Sequence, residues 1–117
     1  MLTQKELQEF EKELTERKAQ ILRNLEEAEN KIVMMQNQEP KDEGDFAALA
    51  IETDIDDRII QQQRAELNEI EIALGKIKAG TYGVCEMCEE PIGIDRLKVK
   101  NFARYCIVCR EIVEREH

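Results

Sequence analysis

Four cysteines carry the strongest chemical signal in this sequence. They form two pairs, Cys85 with Cys88 and Cys106 with Cys109, each with two residues between its members. Two intervening residues allow one tight turn to point both sulfurs at a shared ion. The seventeen residues between the pairs are enough for a hairpin that brings the second pair to the same ion. The spacing therefore predicts one tetrahedral metal site with four thiolate ligands.

Zinc is the ion that this ligand set favours. Four thiolates complete its coordination and leave no position for water, which a catalytic zinc normally keeps open. We therefore expect one structural zinc ion rather than a catalytic one. Two disulfides or a redox-active cysteine pair are alternative interpretations, and an iron–sulfur cluster uses the same ligands but is less expected at this spacing. His117, at the end of the sequence, is not expected to bind the metal.

The composition limits the kind of fold that holds this site. Charged residues make up 37% of the 117 residues and aromatic residues 4%, which suits long solvated helices better than a bulky core. The first residues lack the apolar run of a signal peptide, and no apolar stretch is long enough to span a membrane. We therefore expect a cytoplasmic protein that does not enter a membrane, in a compartment that keeps thiols reduced.

Charge restricts the partners. A formal net charge of −9 argues against general attraction to DNA or to an anionic membrane. The segment after Gly80 has no excess of basic residues, which a zinc module that reads DNA would need. A basic partner surface, or one that holds cations, suits the chain better.

Two long helical patterns precede the cysteines. Thr3 and Glu6 form a capping box at the start of the first pattern, which should run to about residue 37 and stop before Pro40. Its apolar residues recur at steps typical of a coiled-coil seam. These residues are Leu7, Phe10, Leu14, Ile21, Leu25, Ala28, Ile32 and Met35.

The second helical pattern runs from near Asp45 to Lys78, and Gly80 should cap it in the left-handed conformation. The seam is regular at Leu67, Ile70, Leu74 and Ile77. Nearer the start, Thr53 and Asp56 occupy seam positions while Ile51, Ile55 and Ile59 are spaced by four, which we interpret as a stutter. Two helices of matched length predict an antiparallel coiled-coil hairpin over residues 1–79. Two halves of a helical bundle, or a dimer, are the alternatives.

Residues 80–117 form the second predicted domain, a small zinc-ribbon-like module with four cysteine ligands and a short C-terminal helix. Turn residues are frequent, and Ile92, Ile94, Leu97 and Val99 alternate in a way that indicates short strands. The last helix should begin at the second cysteine pair, where its positive end favours thiolate. Because apolar residues are few, the zinc should supply the folding energy, on the order of 10 kcal/mol. The predicted fold class is mainly α.

The loop between the two helical patterns, residues 40–47, is acidic. Asp42, Glu43 and Asp45 lie within four positions. At a helix start such residues accept amide hydrogen bonds and offset the macrodipole, which is the simpler explanation. Alternatively, the hairpin presents the carboxylates at its tip, where they meet magnesium ions or basic groups in a narrow recess.

Both regions resemble the DksA/TraR family of bacterial RNA polymerase-binding transcription regulators. The family's D-x-x-D-x-A tip motif is matched by Asp42, Asp45 and Ala47. The zinc end is matched by Gly80-Thr81-Tyr82-Gly83-x-Cys85-Glu86-x-Cys88, by Ile92-Gly93-Ile94-x-Arg96-Leu97 and by Cys106-x-x-Cys109. The resemblance covers roughly residues 28–115.

The resemblance implies a non-enzymatic regulator that enters the secondary channel of RNA polymerase. The coiled coil would point its tip, with Asp42, Asp45 and Ala47, toward the active site, while the zinc-containing base rests on the rim. Family members alter open-complex stability, commonly together with guanosine tetraphosphate in the stringent response.

Two departures from the family pattern stand out. The longest members carry an additional N-terminal segment that packs against the zinc end, whereas this sequence starts almost directly with the first helix. In such members basic residues hold guanosine tetraphosphate at the polymerase rim. Lys100 and Arg110 keep basic character at two of these positions, but Glu69 replaces a lysine. We therefore expect a weaker response to the nucleotide.

Two other functions compete with this interpretation. A structural zinc adaptor that pairs with an unrelated partner through its helices would use the tip acids as caps alone. A transcript-cleavage factor of the Gre type also carries acids on a coiled-coil tip, but such factors lack the cysteine module.

Overall fold

The computed structural model describes residues 2–36 and 43–116, with side chains described for residues 2–34 and 57–115. It contains the helices α1 (Gln4–Gln36), α2 (Glu43–Ala79), α3 (Ile94–Val99) and α4 (Ile107–Glu116). Within the described ranges no β-strand forms, and one isolated antiparallel bridge joins Val84 to Pro91. The mainly helical fold class is therefore confirmed. No helix in this part of the chain is long and apolar enough to cross a membrane.

Local signals fix the start of α1 and the end of α2. The Thr3 amide donates to Glu6 Oε1 at 2.9 Å and the Glu6 amide donates to Thr3 Oγ1 at 3.1 Å, which confirms the capping box. At the end of α2, Gly80 adopts φ +79°. The Thr81 amide donates to the Lys76 carbonyl at 2.9 Å, and the Gly80 amide donates to the Ile77 carbonyl at 3.3 Å. This Schellman pattern confirms the predicted glycine cap.

The contacts group the chain into two compact units. One unit contains residues 1–17 and 69–117, and the other contains residues 18–68. In the second unit α1 and α2 lie side by side, since Asn24 donates to Gln63 at 3.2 Å and Arg64 pairs with Glu29 at 2.6 Å. The division into domains at residues 79 and 80 stays a prediction from the sequence.

The seam of α1 is largely confirmed, because Phe10, Leu14, Ile21 and Leu25 are all buried. On α2 the regular part of the predicted seam is confirmed at Ile70, which is buried. The structure also buries Ile60 and Ala73, which the sequence analysis missed. Ile59 instead keeps 46% of its surface exposed. Ile60 lies one heptad before Leu67, so it continues the regular seam. Ile59, the last member of the series spaced by four, does not belong to that seam. Met35, Thr53 and Asp56 lie outside the described side chains.

The prediction of short strands is wrong for Ile94, Leu97 and Val99, because Ile94–Val99 forms the helix α3. Ile92 lies before this helix, and its amide donates to the Gly83 carbonyl at 2.8 Å. Ile94 and Leu97 are three residues apart and share one face of a helix, which the alternating interpretation overlooked. Leu97 is buried and Val99, on the other side, is 90% exposed.

The turn at Gly83 is closely covered by the start of the chain. Gly83 has φ +83°, and a Cβ atom at this residue would lie 3.0 Å from Leu2 Cδ1. The same atom would lie 3.5 Å from Leu97 Cδ1. Any other residue would be strained by the positive φ and would require Leu2 to move by a few tenths of an ångström, whereas Leu97 would be in ordinary van der Waals contact.

Candidate metal centre

The four cysteine sulfurs converge on one point. They all lie within 4.8 Å of one another, and the Cys88 and Cys106 sulfurs are 3.9 Å apart. Cys85 and Cys109 are buried, while Cys88 is exposed and Cys106 is half-buried. All four are free thiols, so the structure does not contain the alternative with two disulfides. The two pairs form a single site, as the spacing predicts.

A small hairpin positions the first pair. The Cys85 amide donates to the Glu90 carbonyl at 2.8 Å, and the Glu89 amide donates to the Cys85 carbonyl at 3.1 Å. Glu89 takes a left-handed conformation, with φ 63°, to close this turn. The Ile92 amide donates to the Gly83 carbonyl at 2.8 Å and continues the hairpin.

The second pair lies at the start of α4. The helix begins at Ile107, and the Arg110 amide donates to the Cys106 carbonyl at 2.9 Å. Cys106 therefore precedes the first turn and Cys109 lies within it, so that both sulfurs are near the positive end of the helix. This confirms the prediction that the second pair opens the last helix, and that end favours a thiolate.

The protein environment shifts the pKa values of the Cys85 and Cys109 thiols in opposite directions. Burial raises the pKa of the Cys85 thiol, but amide hydrogen bonds from Cys88, Cys106 and Met87 outweigh it and lower this pKa to about 6. Burial is the main reason why the pKa of Cys109 rises to about 12. A bound divalent cation replaces the thiol protons with its own charge, which removes the cost of a buried thiolate at Cys109.

The geometry and the donor set fit one zinc ion. A zinc–sulfur distance of about 2.3 Å in a tetrahedron places the sulfurs about 3.8 Å apart, close to the separation of Cys88 and Cys106. Four thiolates complete the coordination, so the site is structural, in agreement with the sequence-based prediction. His117 lies outside the described residues.

Comparison with known proteins identifies the same module. Residues 80–115 match the model of the prokaryotic dksA/traR C4-type zinc finger. The chain is 39% identical over 112 residues to an uncharacterized protein of Aquifex aeolicus, covering 94% of this chain and 77% of that protein. It is also 32% identical over 92 residues to the RNA polymerase-binding transcription factor DksA of Haemophilus influenzae. The chain belongs to the DksA/TraR family.

The similarity to DksA extends beyond the zinc finger. The aligned region covers 77% of this chain and 63% of the Haemophilus influenzae protein, so the chain spans less than two thirds of that relative's length. The solved structure of the transcription factor DksA2 from Pseudomonas aeruginosa superposes with a TM-score of 0.84 at 24% identity. That match covers 94% of this chain and 84% of DksA2, and it supports the fold alone.

The DksA/TraR tip motif lies largely beyond the described structure. Asp42 is outside the described residues. Asp45 and Ala47 belong to the first turns of α2, but their side chains are outside the described part. The roles assigned to these three residues stay predictions.

The three positions linked to nucleotide binding in the family come together at the zinc end. Lys100, Arg110 and Glu69 all line one cavity of about 360 Å³. The Lys100 ammonium lies 5.3 Å from the centre of the Phe102 ring, which lines the same cavity. Arg110 donates to Glu114 at 2.8 Å across one turn of α4. The structure thus brings Lys100 and Arg110 together, although their role in binding stays a prediction.

Arg104 is the residue of this cavity that the sequence analysis missed. Its guanidinium donates to Glu69 at 3.4 Å and to Glu86 at 2.9 Å. Lys76 also pairs with Glu86, at 2.8 Å. Burial opposes ionisation of Glu86, but these two cations outweigh it and lower the pKa of the Glu86 carboxyl. The sequence signal that could have indicated this pairing was the opposite charge of Glu86 and Arg104, since each lies close to a cysteine pair.

Proposed function

We propose that this protein binds RNA polymerase and regulates transcription as a DksA-type factor, without catalysing a reaction itself. The observation that carries the proposal is the combination of the four-cysteine module with two long helices in one fold that matches DksA2. The name of the Haemophilus influenzae relative supports the choice of RNA polymerase as partner. The protein would act in the cytoplasm, where transcription takes place.

In the proposed mechanism the helices enter the secondary channel of the polymerase. The zinc-containing end stays at the rim of the channel. Asp42 and Asp45 would meet polar or cationic groups near the catalytic centre, and Ala47 would keep the tip narrow. Such contacts change the lifetime of open complexes without any chemistry on the factor.

We further propose that guanosine tetraphosphate binds at the cavity lined by Lys100 and Arg110, and that the response is weak. Clustered phosphates need matched cations, since each charge-assisted hydrogen bond offsets the loss of hydration. Arg104 already bonds to Glu69 and Glu86, and Arg110 bonds to Glu114. Arg96 also lines the cavity, and its Nε donates to the Tyr105 carbonyl at 2.8 Å. Lys100, which lies over Phe102, is therefore the cation of this cavity best placed to meet a phosphate. RNA polymerase would supply the opposite wall.

The direct test is transcription in vitro with purified polymerase, with and without the protein and the nucleotide, together with a binding assay. Asp45→Asn removes a tip charge at almost constant volume, whereas Asp57→Asn removes an exposed charge farther along α2 and serves as the matched control. We expect the Asp45→Asn protein to bind polymerase normally but to lose its effect on open-complex lifetime. The Asp57→Asn protein should act as the wild type does.

The same experiment separates the competing functions. If Asp45 is a helix cap alone, Asp45→Asn costs about 1 kcal/mol of stability and leaves regulation intact. A structural zinc adaptor would show no specific binding to polymerase in any variant. A cleavage factor of the Gre type would instead stimulate RNA hydrolysis in stalled complexes, an activity that we do not expect here.

A further inference from the structure

Four side chains of alternating charge connect α2 to the cysteine module. Lys76 Nζ lies 2.8 Å from Glu86 Oε1, and Arg104 Nε lies 2.9 Å from Glu86 Oε2. Arg104 Nη1 then reaches Glu69 Oε1 at 3.4 Å. We call Lys76, Glu86, Arg104 and Glu69 the charge chain.

The two central members are fixed by the backbone of the metal centre. Glu86 lies between Cys85 and Cys88, and Arg104 lies two residues before Cys106. The Glu86 amide also donates to the Arg104 carbonyl at 2.9 Å, so these residues are joined through both backbone and side chains. One segment from each cysteine pair therefore meets at this point, and a metal ion bound to both pairs would hold the same two segments together.

The two outer members lie on α2. Glu69 and Lys76 are seven residues apart, which places them on the same face of the helix and about 10 Å apart along its axis. The cysteine module therefore contacts α2 at two points separated by two turns. Two points on one face fix both the position and the direction of the module against this part of the helix.

Partial burial makes the charge chain more than a set of surface pairs. The side chains are 19% exposed at Lys76, 28% at Glu86, 29% at Glu69 and 39% at Arg104. Isolated exposed pairs contribute little to stability, but networks with reduced solvent access contribute more than single pairs. Glu86 accepts from two cations at once, so it is the centre of this network.

We propose that the charge chain is a zinc-dependent clamp that couples metal binding to the last three turns of α2. When the metal holds both cysteine pairs, Glu86 and Arg104 are aligned and contact Lys76 and Glu69 together. Without the metal the two segments separate, and α2 loses both contacts. By reciprocity, residues on α2 that are not metal ligands must contribute to zinc affinity. This inference does not depend on the proposed function.

The first test measures zinc affinity by competition with a chromophoric chelator. We expect Lys76→Met to weaken zinc binding at least threefold, and Lys76→Arg to retain the wild-type affinity. Lys78→Met removes an equal charge from an exposed site two residues away, and Arg64→Met breaks the Glu29 ion pair in the other unit. Both controls should bind zinc as the wild type does. Unchanged affinity in Lys76→Met would overturn the proposal.

A double-mutant cycle separates the clamp from general electrostatics. The four-thiolate zinc complex is negatively charged, so the charge of Lys76 by itself also favours zinc binding, without any contact to Glu86. If the clamp operates, Lys76→Met has no further effect once Glu86→Gln is present, because the contact has already been lost. Additive effects of the two substitutions would mean that Lys76 acts through its charge alone, and the proposal would be rejected.

Amide hydrogen exchange provides a readout that does not depend on affinity. In the wild type, removal of zinc should increase exchange over residues 69–79 as well as in the cysteine module. In zinc-loaded Lys76→Met, exchange over residues 69–79 should already be raised while the cysteine module stays protected. Equal protection of this part of α2 in all zinc-loaded variants would contradict the clamp.

Discussion

The carboxylate of Glu69 accepts a hydrogen bond from the guanidinium of Arg104 at 3.4 Å, across 35 positions of sequence. From the sequence, Glu69 was expected to place an unbalanced negative charge beside Lys100 and Arg110. In the structure Glu69 is paired with Arg104, which also pairs with Glu86 at 2.9 Å. Glu69, which the family resemblance predicts to replace a lysine, is therefore paired with a cation from the cysteine module.

Glu69→Lys should increase the response to guanosine tetraphosphate. The substitution removes the acceptor of Arg104, so that Arg104 and the introduced lysine both face the cavity with Lys100. The measurement is the effect of the nucleotide on open-complex lifetime. Glu71→Lys, an equal charge change at an exposed position of the same helix, is the control. A wild type that already responds strongly, with no gain in Glu69→Lys, would show that the nucleotide binds elsewhere.

The combined variant Lys100→Ala, Arg110→Ala should abolish what remains of the nucleotide response. Both side chains line the cavity and neither contributes a metal ligand. Zinc content and binding to polymerase in the absence of nucleotide should therefore be unchanged. A nucleotide response equal to that of the wild type would remove both residues from the proposed site.

Metal removal should unfold the cysteine module and leave the unit of residues 18–68 intact. Elemental analysis should find one zinc per chain, and Cys85→Ser or Cys106→Ser should disorder residues 81–110 because the segment has few apolar residues and depends on the metal for folding energy. Amide exchange over residues 18–34 should stay close to that of the zinc-loaded protein, because those residues belong to the other unit. Unchanged protection of residues 81–110 after complete metal removal would contradict a structural role for zinc.

Tyr82→Phe should destabilise the protein by about 1 kcal/mol, the typical contribution of one intramolecular hydrogen bond. The Tyr82 hydroxyl donates to the Asn101 carbonyl at 2.6 Å, while its ring keeps the contact with Phe10 at 5.7 Å between centroids. Chemical denaturation measures the loss, and Tyr105→Phe is the control for a less buried tyrosine.

The same residue predicts a pH dependence. Burial raises the pKa of the Tyr82 phenol, so the neutral form is favoured in the folded state. The contribution of the Tyr82 phenol to the free energy of unfolding is therefore complete below its unfolded-state pKa, about 10, and is lost as the pH rises above that value. Stability of the wild type should fall in this alkaline range more than that of Tyr82→Phe. Parallel pH curves would show that the hydroxyl does not titrate differently in the folded state.

Features encoded by neighbouring residues could be predicted from the sequence. The spacing of the cysteine pairs, the Thr3–Glu6 capping box and the Gly80 cap each depend on a few consecutive residues, and the structure contains all of them. Long-range relations could not be predicted in this way. The pairing of Arg104 with Glu69 requires the fold to bring distant segments together, and no periodicity indicates it.

The two wrong predictions, on the seam residue of α2 and on the short strands, also come from patterns too local to decide the structure. Ile59 and Ile60 are both apolar, so local pattern alone did not decide which one faces the other helix. Packing decides it, and buries Ile60. Six residues are too few for a clear period, and Ile94–Val99 became helical because burial of Leu97 suits that conformation.

The crowded turn at Gly83 has a consequence for how the protein tolerates mutation. A side chain at Gly83 meets two separate obstacles, a backbone with φ +83° and the Leu2 methyl group at 3.0 Å. Shortening Leu2 to alanine opens space but leaves the backbone strain, so it should rescue Gly83→Ala in part. Gly75 has open space around its Cα inside α2, and alanine there should stabilise the helix by about 0.5–1 kcal/mol. One chemical change, the addition of a methyl group, thus has opposite signs at two glycines eight positions apart.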